Sequence, residues 1–418
     1  MSSTQVIEEL FVGPAVVVDD TLGKDDCTMQ PIIAQIEARK IPVHGEKTLP
    51  PLEELRHWRN FSLIVLDWEL FPTSQGAGTL VPGISLPDSL HDENNAKVTE
   101  FVKALLETLY APIFIFSSQN VDAITAQLTT RLKMNEDQIR ERVMIRSKSD
   151  MSDSLFEALT VWVSSRPSIY ALKSWDYGYE VAKKELFGDL HASSPNWPKV
   201  IWATSGQDSV NPHSELSETI ARNIIHRFRP LVFDTSVFEA KDDDEVEPPD
   251  TLRRVLHRQA VIANDALHDD VLMPGDFFFS KPEAGLPPEI LINVTPACDL
   301  VPRGGVNSDD IGMTLVRADL IADGNYKTKK QIEAVEKERS NDFSSSHLLY
   351  VLTDSARPYR VRFKNWTRST WGALREERQG RLLEPHITQL QQKFALYFHR
   401  QGLPRLPDRY FISPSELG

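Results

Sequence analysis

The chain has 418 residues, of which 41% are hydrophobic, and its formal net charge is −14. This length predicts two or three domains of roughly 150 residues each, and the acidic balance argues against a protein whose whole surface binds nucleic acid or an anionic membrane. Two cysteines, Cys27 and Cys298, exclude a disulfide framework and a cysteine-rich zinc site, and no apolar stretch approaches the roughly 20 residues of a membrane helix, so we expect a cytoplasmic protein without a membrane partner.

Four short apolar runs in the first part of the chain each end in polar residues. The runs are 15–20, 63–67, 113–117 and 143–148. Such a run is typical of a strand that is buried on both faces of a parallel sheet, with its polar residue at the carboxyl edge. The residues expected to meet at that edge are Asp19, Asp20, Asp67, Ser117 and Lys148.

The three aspartates predict a metal site. Crowded carboxylates repel one another unless a divalent cation lies between them, and carboxylate oxygens suit Mg²⁺. With Ser117 and Lys148 beside it, such a site can neutralise a phosphoryl group while an aspartate attacks it. Asp67, alone at the end of its strand, is the expected nucleophile.

In this order the residues resemble the receiver domain of two-component response regulators, over about residues 12–165. That family carries an acidic pair after the first strand, a phosphoacceptor Asp after the third, Ser or Thr after the fourth and Lys after the fifth. The metal ligands that the resemblance implies are Asp19, Asp20, Asp67 and the main-chain carbonyl of Glu69, with Mg²⁺ as the cofactor. The residues implied for phosphoryl chemistry are Asp67 as acceptor, with Ser117 and Lys148 on the phosphoryl oxygens. Taken singly, each residue is more often a helix cap, a turn residue or a solvated lysine.

The resemblance also implies partners: a histidine kinase or another phosphodonor, a protein effector and a homodimer. Two positions depart from the family pattern. Ser149 follows Lys148 where receivers usually have Pro, and Ile145 stands where they often have an aromatic residue. An insertion, Phe71–Asn95, is rich in Gly, Pro, Ser and Thr, and a loop of that length beside an active site is commonly a lid, a binding loop or disordered.

The segments between the runs predict crossover elements. Apolar residues recur at helical spacing in 29–39, 97–110, 121–132 and 152–163, while 41–43 is a second strand and 52–58 a short helix. Five βα units require right-handed crossovers in one sheet. The expected fold is therefore a doubly wound, five-stranded parallel α/β sheet of the receiver, or flavodoxin-like, type.

The remainder of the chain predicts three further parts. Residues 166–238 form a helical connecting region with helices over 170–190 and 215–228. An acidic, proline-containing run over 239–250 is most simply an exposed linker. Residues 251–418 form an α+β output domain, which follows the receiver domain of residues 1–165 and the other two parts.

The output domain is expected to be a small, mainly antiparallel, barrel-like sheet. The predicted strands are 275–279, 290–294, 347–352 and 359–363, followed by an amphipathic helix over 381–400. Cys298 beside Asp299 could be a nucleophile, but no partnered histidine stands out and a buried free cysteine is commoner.

The C-terminal segment is basic. From Arg357 to Arg409 there are twelve Lys or Arg residues against four Asp or Glu. Basic residues interleaved with aromatics can follow a nucleic-acid backbone, or can dock on an acidic surface of the same molecule or of a partner. We expect a phosphorylation-regulated adaptor or regulator. The alternatives are a nucleic-acid-binding effector under receiver control and an output enzyme, such as a nuclease in a bacterial defence system.

Overall fold

The structure is a computed structural model that divides into two compact units, and each unit is described by itself. The first comprises Met1–Pro195 and Ile220–Asp242, and the second comprises Asn196–Thr219 and Asp243–Gly418. The predicted boundaries at 165, 238 and 250 stay predictions. The residues that the structure describes are 10–11, 13–25, 27–70, 88–148, 155–207, 211–228, 231–239, 248–279, 289–302, 306–321, 333, 346–353 and 358–399, with 88–91 as backbone.

A five-stranded parallel sheet lies at the centre of the first unit, in the order β2-β1-β3-β4-β5. Its strands are β1 (Ala15–Val18), β2 (Val43–Glu46), β3 (Leu63–Asp67), β4 (Ile113–Ser117) and β5 (Val143–Ser147). Every residue of β1, β3 and β4 is buried, because continuous apolar runs can be covered on both faces. The structure therefore confirms the predicted five-stranded parallel sheet.

Helices cover both faces of this sheet. They are α1 (Gln30–Ala38), a 3-10 helix (Leu52–Asn60), α2 (Asp88–Thr108), α3 (Val121–Leu132), α4 (Glu136–Arg140) and α5 (Leu155–Ser164). One core contains residues of α1 and α5, such as Ile36 and Leu159, and the other contains residues of α2, such as Phe101 and Leu105. This layering leaves the carboxyl edge of the sheet open for polar side chains.

Two elements of this unit differ from the predicted ones. The second strand lies at Val43–Glu46 rather than at 41–43. Helix α2 begins at Asp88 rather than at 97, so the end of the predicted insertion is helical, and residues 71–87 lie outside the described residues. The hydrophobic pattern does not predict the first turns of α2 because side chains buried there are polar. Asn94, for example, is buried and donates to the carbonyl of Trp68 at 3.1 Å.

Three helices follow the parallel sheet: α6 (Pro167–Ser193), α7 (Trp197–Gln207) and α8 (Pro212–Arg227). Helices α6 and α8 agree with the helices predicted over 170–190 and 215–228, whereas α7 is a helix that the sequence pattern does not predict. In the first unit, Ala182 and Leu186 of α6 pack with Ile224 of α8.

The second unit contains a curled, seven-stranded antiparallel sheet in the order β10-β11-β9-β8-β7-β12-β6. Its strands are β6 (Val261–Ala263), β7 (Asp276–Phe279), β8 (Ile290–Asn293), β9 (Gly312–Leu320), β10 (Ser346–Leu349), β11 (Tyr359–Thr370) and β12 (Arg378–Leu382). The helices described after residue 248 are α9 (Pro249–Ala260), α10 (Trp371–Leu374) and α11 (His386–Phe398). The antiparallel character predicted for this region is therefore confirmed.

The predicted helix over 381–400 is wrong at its start. Leu382 belongs to β12, where its N–H donates to the carbonyl of Gly275 at 2.9 Å, and the helix begins at His386. Strand β12 pairs with both β6 and β7, so ladder hydrogen bonds outweigh the helical spacing of its leucines. Among the helices that the structure describes, none has the length and apolar character needed to cross a lipid bilayer.

Candidate functional site

The polar residues predicted from strand ends lie along the carboxyl edge of the parallel sheet. Asp19 follows β1, Asp67 ends β3, Ser117 ends β4 and Lys148 follows β5. The register of neighbouring strands places these strand ends side by side. Asp67 of β3, for example, lies opposite Phe116, the residue before Ser117.

Three carboxylates form an acidic cluster that fits a metal ion. One oxygen each from Asp19, Asp20 and Asp67 lies within 4.8 Å of the others. Asp19 Oδ1 accepts hydrogen bonds from the backbone N–H of Thr21 at 2.6 Å and from its hydroxyl at 2.5 Å. Asp19 Oδ2 is buried and has no hydrogen-bond partner. A buried oxygen without a donor is costly in water-free surroundings, and a cation held by the cluster would satisfy it.

Asp67 is held in place through both of its carboxylate oxygens. Oδ1 accepts from the backbone N–H of Glu69 at 3.0 Å, and Oδ2 accepts from Lys148 Nζ at 2.6 Å. Asp67 is 2% exposed. Burial raises its pKa to about 6, although the hydrogen bond and positive charge of Lys148 act in the opposite direction.

Asp20 lies in the same electrostatic environment. Burial, followed by the negative charge of Asp19, raises the pKa of Asp20, and Lys24 and Lys148 partly offset this rise. Burial is the largest cause of both raised pKa values, and the negative charge of Asp19 adds to it. The cluster therefore has the ligands for a divalent cation, and such a cation would stabilise the charged form of these buried carboxyl groups.

A second network, centred on Glu69, borders the acidic cluster. Ser118 donates to the Glu69 carboxylate from its hydroxyl at 2.6 Å and from its backbone N–H at 3.2 Å. Glu69 Oε2 also lies 3.8 Å from Lys148 Nζ. Sequence reasoning missed Ser118 and Thr21, although each stands one or two residues after a predicted strand end. The ligand role predicted for the main-chain carbonyl of Glu69 stays a prediction.

Ser117 is fully buried at the end of β4. Its hydroxyl oxygen accepts from the backbone N–H of Gln119 at 2.9 Å, which shapes the turn into α3. At the start of that helix Asn120 caps the N–H groups of Asp122 and Ala123. The hydroxyl is thus placed by the same turn that carries Ser118, the partner of Glu69.

In the second unit, arginines of the basic C-terminal segment pair with carboxylates. Arg381 Nε lies 2.7 Å from an oxygen of Asp276, which is fully buried. Arg378 is 3.9 Å from the same carboxylate and donates to the carbonyls of Val271 and His268 at 3.0 Å each. Arg362 pairs with Asp319 at 3.5 Å, and Arg375 pairs with Asp270. These four arginines lie against acidic groups of their own unit. This is one of the two roles predicted for the basic C-terminal segment.

Cys298 is exposed, so the expectation of a buried thiol is wrong. Its Sγ lies 3.5 Å from Asp299 Oδ1. The residue follows β8 in a short 3-10 turn, Ala297–Asp299.

No protein-family model matches this chain, and no curated protein matches it either. Among solved structures, the chain is similar to a solution NMR structure of a de novo designed Rossmann 2x3 fold protein, with 15% sequence identity and a TM-score of 0.22. The match covers 36% of this chain and 90% of the designed one. A TM-score this low supports no conclusion about this chain, and the geometry of the site is what bears on function.

Proposed function

We propose that this chain is a phosphorylation-regulated signalling protein whose parallel-sheet unit acts as a response-regulator receiver. The observation that carries the proposal is the surroundings of Asp67. Its buried carboxylate contacts Lys148 at 2.6 Å and lies within the acidic cluster of Asp19 and Asp20. The strand order 2-1-3-4-5 is that of flavodoxin-like sheets, in which ligands bind outside the carboxyl ends of the strands.

Asp67 is the acceptor. An oxygen of its carboxylate forms a bond to the phosphorus of the donor, and the bond between that phosphorus and the donor's leaving group breaks. The N–H of Glu69 holds the carboxylate in a fixed direction, so little orientational freedom is lost in the reaction. Lys148 places its positive charge where phosphoryl oxygens would come to lie.

The metal that fits the cluster is Mg²⁺. Asp19, Asp20 and Asp67 would hold it, since a small hard cation takes carboxylate oxygens together with water. When bound, it supplies positive charge that neutralises the phosphoryl oxygens. Histidine kinases and small phosphodonors are the proposed partners on the input side, and a protein effector is the proposed partner on the output side.

The change after phosphorylation is proposed to begin at the Ser117 turn. A phosphoryl group attracts hydroxyl and ammonium donors, so Ser117 and Lys148 would reorient towards it. Ser117 shares its turn with Ser118, which binds Glu69, and the turn leads directly into α3. Movement there would alter the surface that α3 offers to a partner.

The test is the intact mass of the protein after incubation with Mg²⁺ and acetyl phosphate. We expect one phosphoryl adduct in the wild type, none in Asp67→Asn, and an unchanged adduct in Asp25→Asn, since Asp25 is an exposed aspartate outside the cluster. Hydroxylamine should remove the adduct, because an acyl phosphate is labile to it. An adduct that persists in Asp67→Asn, or a wild type that takes up neither phosphate nor beryllofluoride, would contradict the proposal.

A further inference from the structure

Glu69 contacts three elements at the carboxyl edge of the parallel sheet. Its backbone N–H donates to Asp67 Oδ1 at 3.0 Å. Its carboxylate accepts from the hydroxyl of Ser118 at 2.6 Å and from the backbone N–H of Ser118 at 3.2 Å. One oxygen of this carboxylate lies 3.8 Å from Lys148 Nζ. Glu69 therefore joins the end of β3 to the turn after β4 and to the lysine after β5.

The carboxylate of Glu69 is held by charge as well as by hydrogen bonds. The side chains of Glu69 and Lys148 are 19% and 17% exposed, so water screens their attraction less than it screens an ion pair on the open surface. A hydrogen bond to a charged acceptor is also stronger than one between neutral groups. The position of the Glu69 carboxylate beside Ser118 is therefore a stable one in the absence of a phosphoryl group.

The groups that hold Glu69 are of the kind that a phosphoryl group attracts. A phosphoryl oxygen, like a carboxylate oxygen, is a negatively charged acceptor for hydroxyl, amide and ammonium donors. Lys148 also contacts Asp67 at 2.6 Å, so a phosphoryl group on Asp67 would share this ammonium group with the Glu69 carboxylate. Two anions beside one cation repel each other. The phosphoryl group and Glu69 would thus compete for the same positive charge.

We infer that the Glu69 carboxylate is an internal competitor of the phosphoryl group, and that it keeps the Ser117–Ser118 turn in place until Asp67 is phosphorylated. This inference rests on the proposed function and deepens it. Phosphorylation adds negative charge beside Lys148, and repulsion moves the Glu69 carboxylate away from Ser118. The turn then loses its link to β3, and the start of α3 is free to follow it. Glu69 is in this sense a positioning residue that slows phosphoryl uptake.

The rate at which the adduct forms with acetyl phosphate at saturating Mg²⁺, followed by intact mass, tests the competition. Glu69→Gln removes the charge but keeps an oxygen for Ser118, and we expect the adduct to form at least about tenfold faster than in the wild type. Ser118→Ala removes the hydroxyl donor and should give a smaller gain, about threefold. Glu100→Gln is the matched control, since Glu100 is an exposed glutamate of α2, and it should react at the wild-type rate. Loss of a merely structural contact would not accelerate uptake.

The contact itself can be measured without a phosphodonor. In EDTA, hydrogen exchange of the Ser118 amide, followed by NMR, should be at least about threefold faster in Glu69→Ala than in the wild type, because this N–H loses its acceptor. Glu100→Ala should leave the exchange rate unchanged. Equal exchange at Ser118 in Glu69→Ala and in the wild type would overturn the inference.

The inference and the proposed function fail in different ways. If the wild type forms the adduct and Glu69→Gln forms it no faster, the competition is overturned and the receiver function stands. If the wild type forms no adduct but Glu69→Gln does, the wild-type chain fails the test of the proposed function while the competition is supported. If neither protein forms an adduct or binds beryllofluoride, both are overturned.

Discussion

Two features of the Asp67 site act in opposite directions on the charged form of its carboxyl group. It is almost completely buried, which disfavours its charged form, and it contacts Lys148 at 2.6 Å, which favours it. Burial has the larger effect, because the pKa of Asp67 rises to about 6. A carboxylate with this balance is costly to the fold and is typical of functional sites.

This pKa predicts how stability changes with pH when EDTA removes divalent cations. The pKa of Asp67 rises from 3.8 in the unfolded chain to about 6 in the folded one, so the native state binds more protons between those pH values. Its contribution to the free energy of unfolding is therefore full below about pH 4 and is lost as pH rises through about 6, by on the order of 3 kcal/mol. Asp67→Asn has no charge to bury and should lack this loss.

Urea unfolding of both proteins from pH 4 to pH 7 measures the difference. The gap in unfolding free energy between Asp67→Asn and the wild type should widen as pH rises, and should stop widening above about pH 6 to 7. Asp25→Asn, at an exposed position, should follow the wild type. A gap that is constant with pH would show that burial does not raise the pKa of Asp67.

At the scale of elements, the join between β7 and β12 depends on a glycine. Gly275 has a φ of +88°, and a Cβ there would lie 2.2 Å from the carbonyl oxygen of Leu382. Gly275 also donates to Asn293 and accepts from Leu382, so its backbone is held from both sides. A side chain at this position meets a strained φ and a rigid backbone atom together.

Gly275→Ala should therefore lower the free energy of unfolding of the second unit by about 2–4 kcal/mol. Gly206→Ala is the control within the same unit, because Gly206 lies in α7 and a Cβ there meets nothing within 4 Å. That change should be neutral or raise stability by less than about 1 kcal/mol. Thermal denaturation followed by circular dichroism compares them, and equal effects of the two substitutions would contradict the structure around Gly275.

At the scale of the whole molecule, the two units have separate hydrophobic cores. Phe114 and Leu159 belong to a core of the parallel sheet, while Phe277 and Val316 belong to a core of the antiparallel sheet. Each core contains residues of one unit only, and domains with their own cores often unfold as separate cooperative steps.

We therefore predict two calorimetric transitions for the full chain. At pH 7 in EDTA, Asp67→Asn should raise the midpoint of one transition, and Gly275→Ala should lower the midpoint of the other. The physical reason is that each substitution changes one unit only: Asp67 lies in the first unit and Gly275 in the second. A single transition that both substitutions shift would show that the units unfold together.

Much of the parallel-sheet unit could be predicted from the sequence. Continuous apolar runs identify β1, β3, β4 and β5, and their polar last residues identify Asp67 and Ser117, because the carboxyl ends of parallel strands share one edge. The antiparallel unit was harder. Strand β9 contains Arg317 and Asp319 among its apolar residues, and Leu382 has a spacing that suits a helix as well as a strand.

The sequence by itself determined the acidic cluster, the order of the site residues and the parallel class of the first sheet, since these follow from local pattern and strand direction. Tertiary structure alone decided which hydrogen-bond partners from distant parts of the sequence contact these elements. Ser118 binds Glu69 across 49 positions of sequence, and Leu382 donates to the carbonyl of Gly275, the residue before β7. Such contacts depend on the packing of distant segments, and no local pattern encodes that packing.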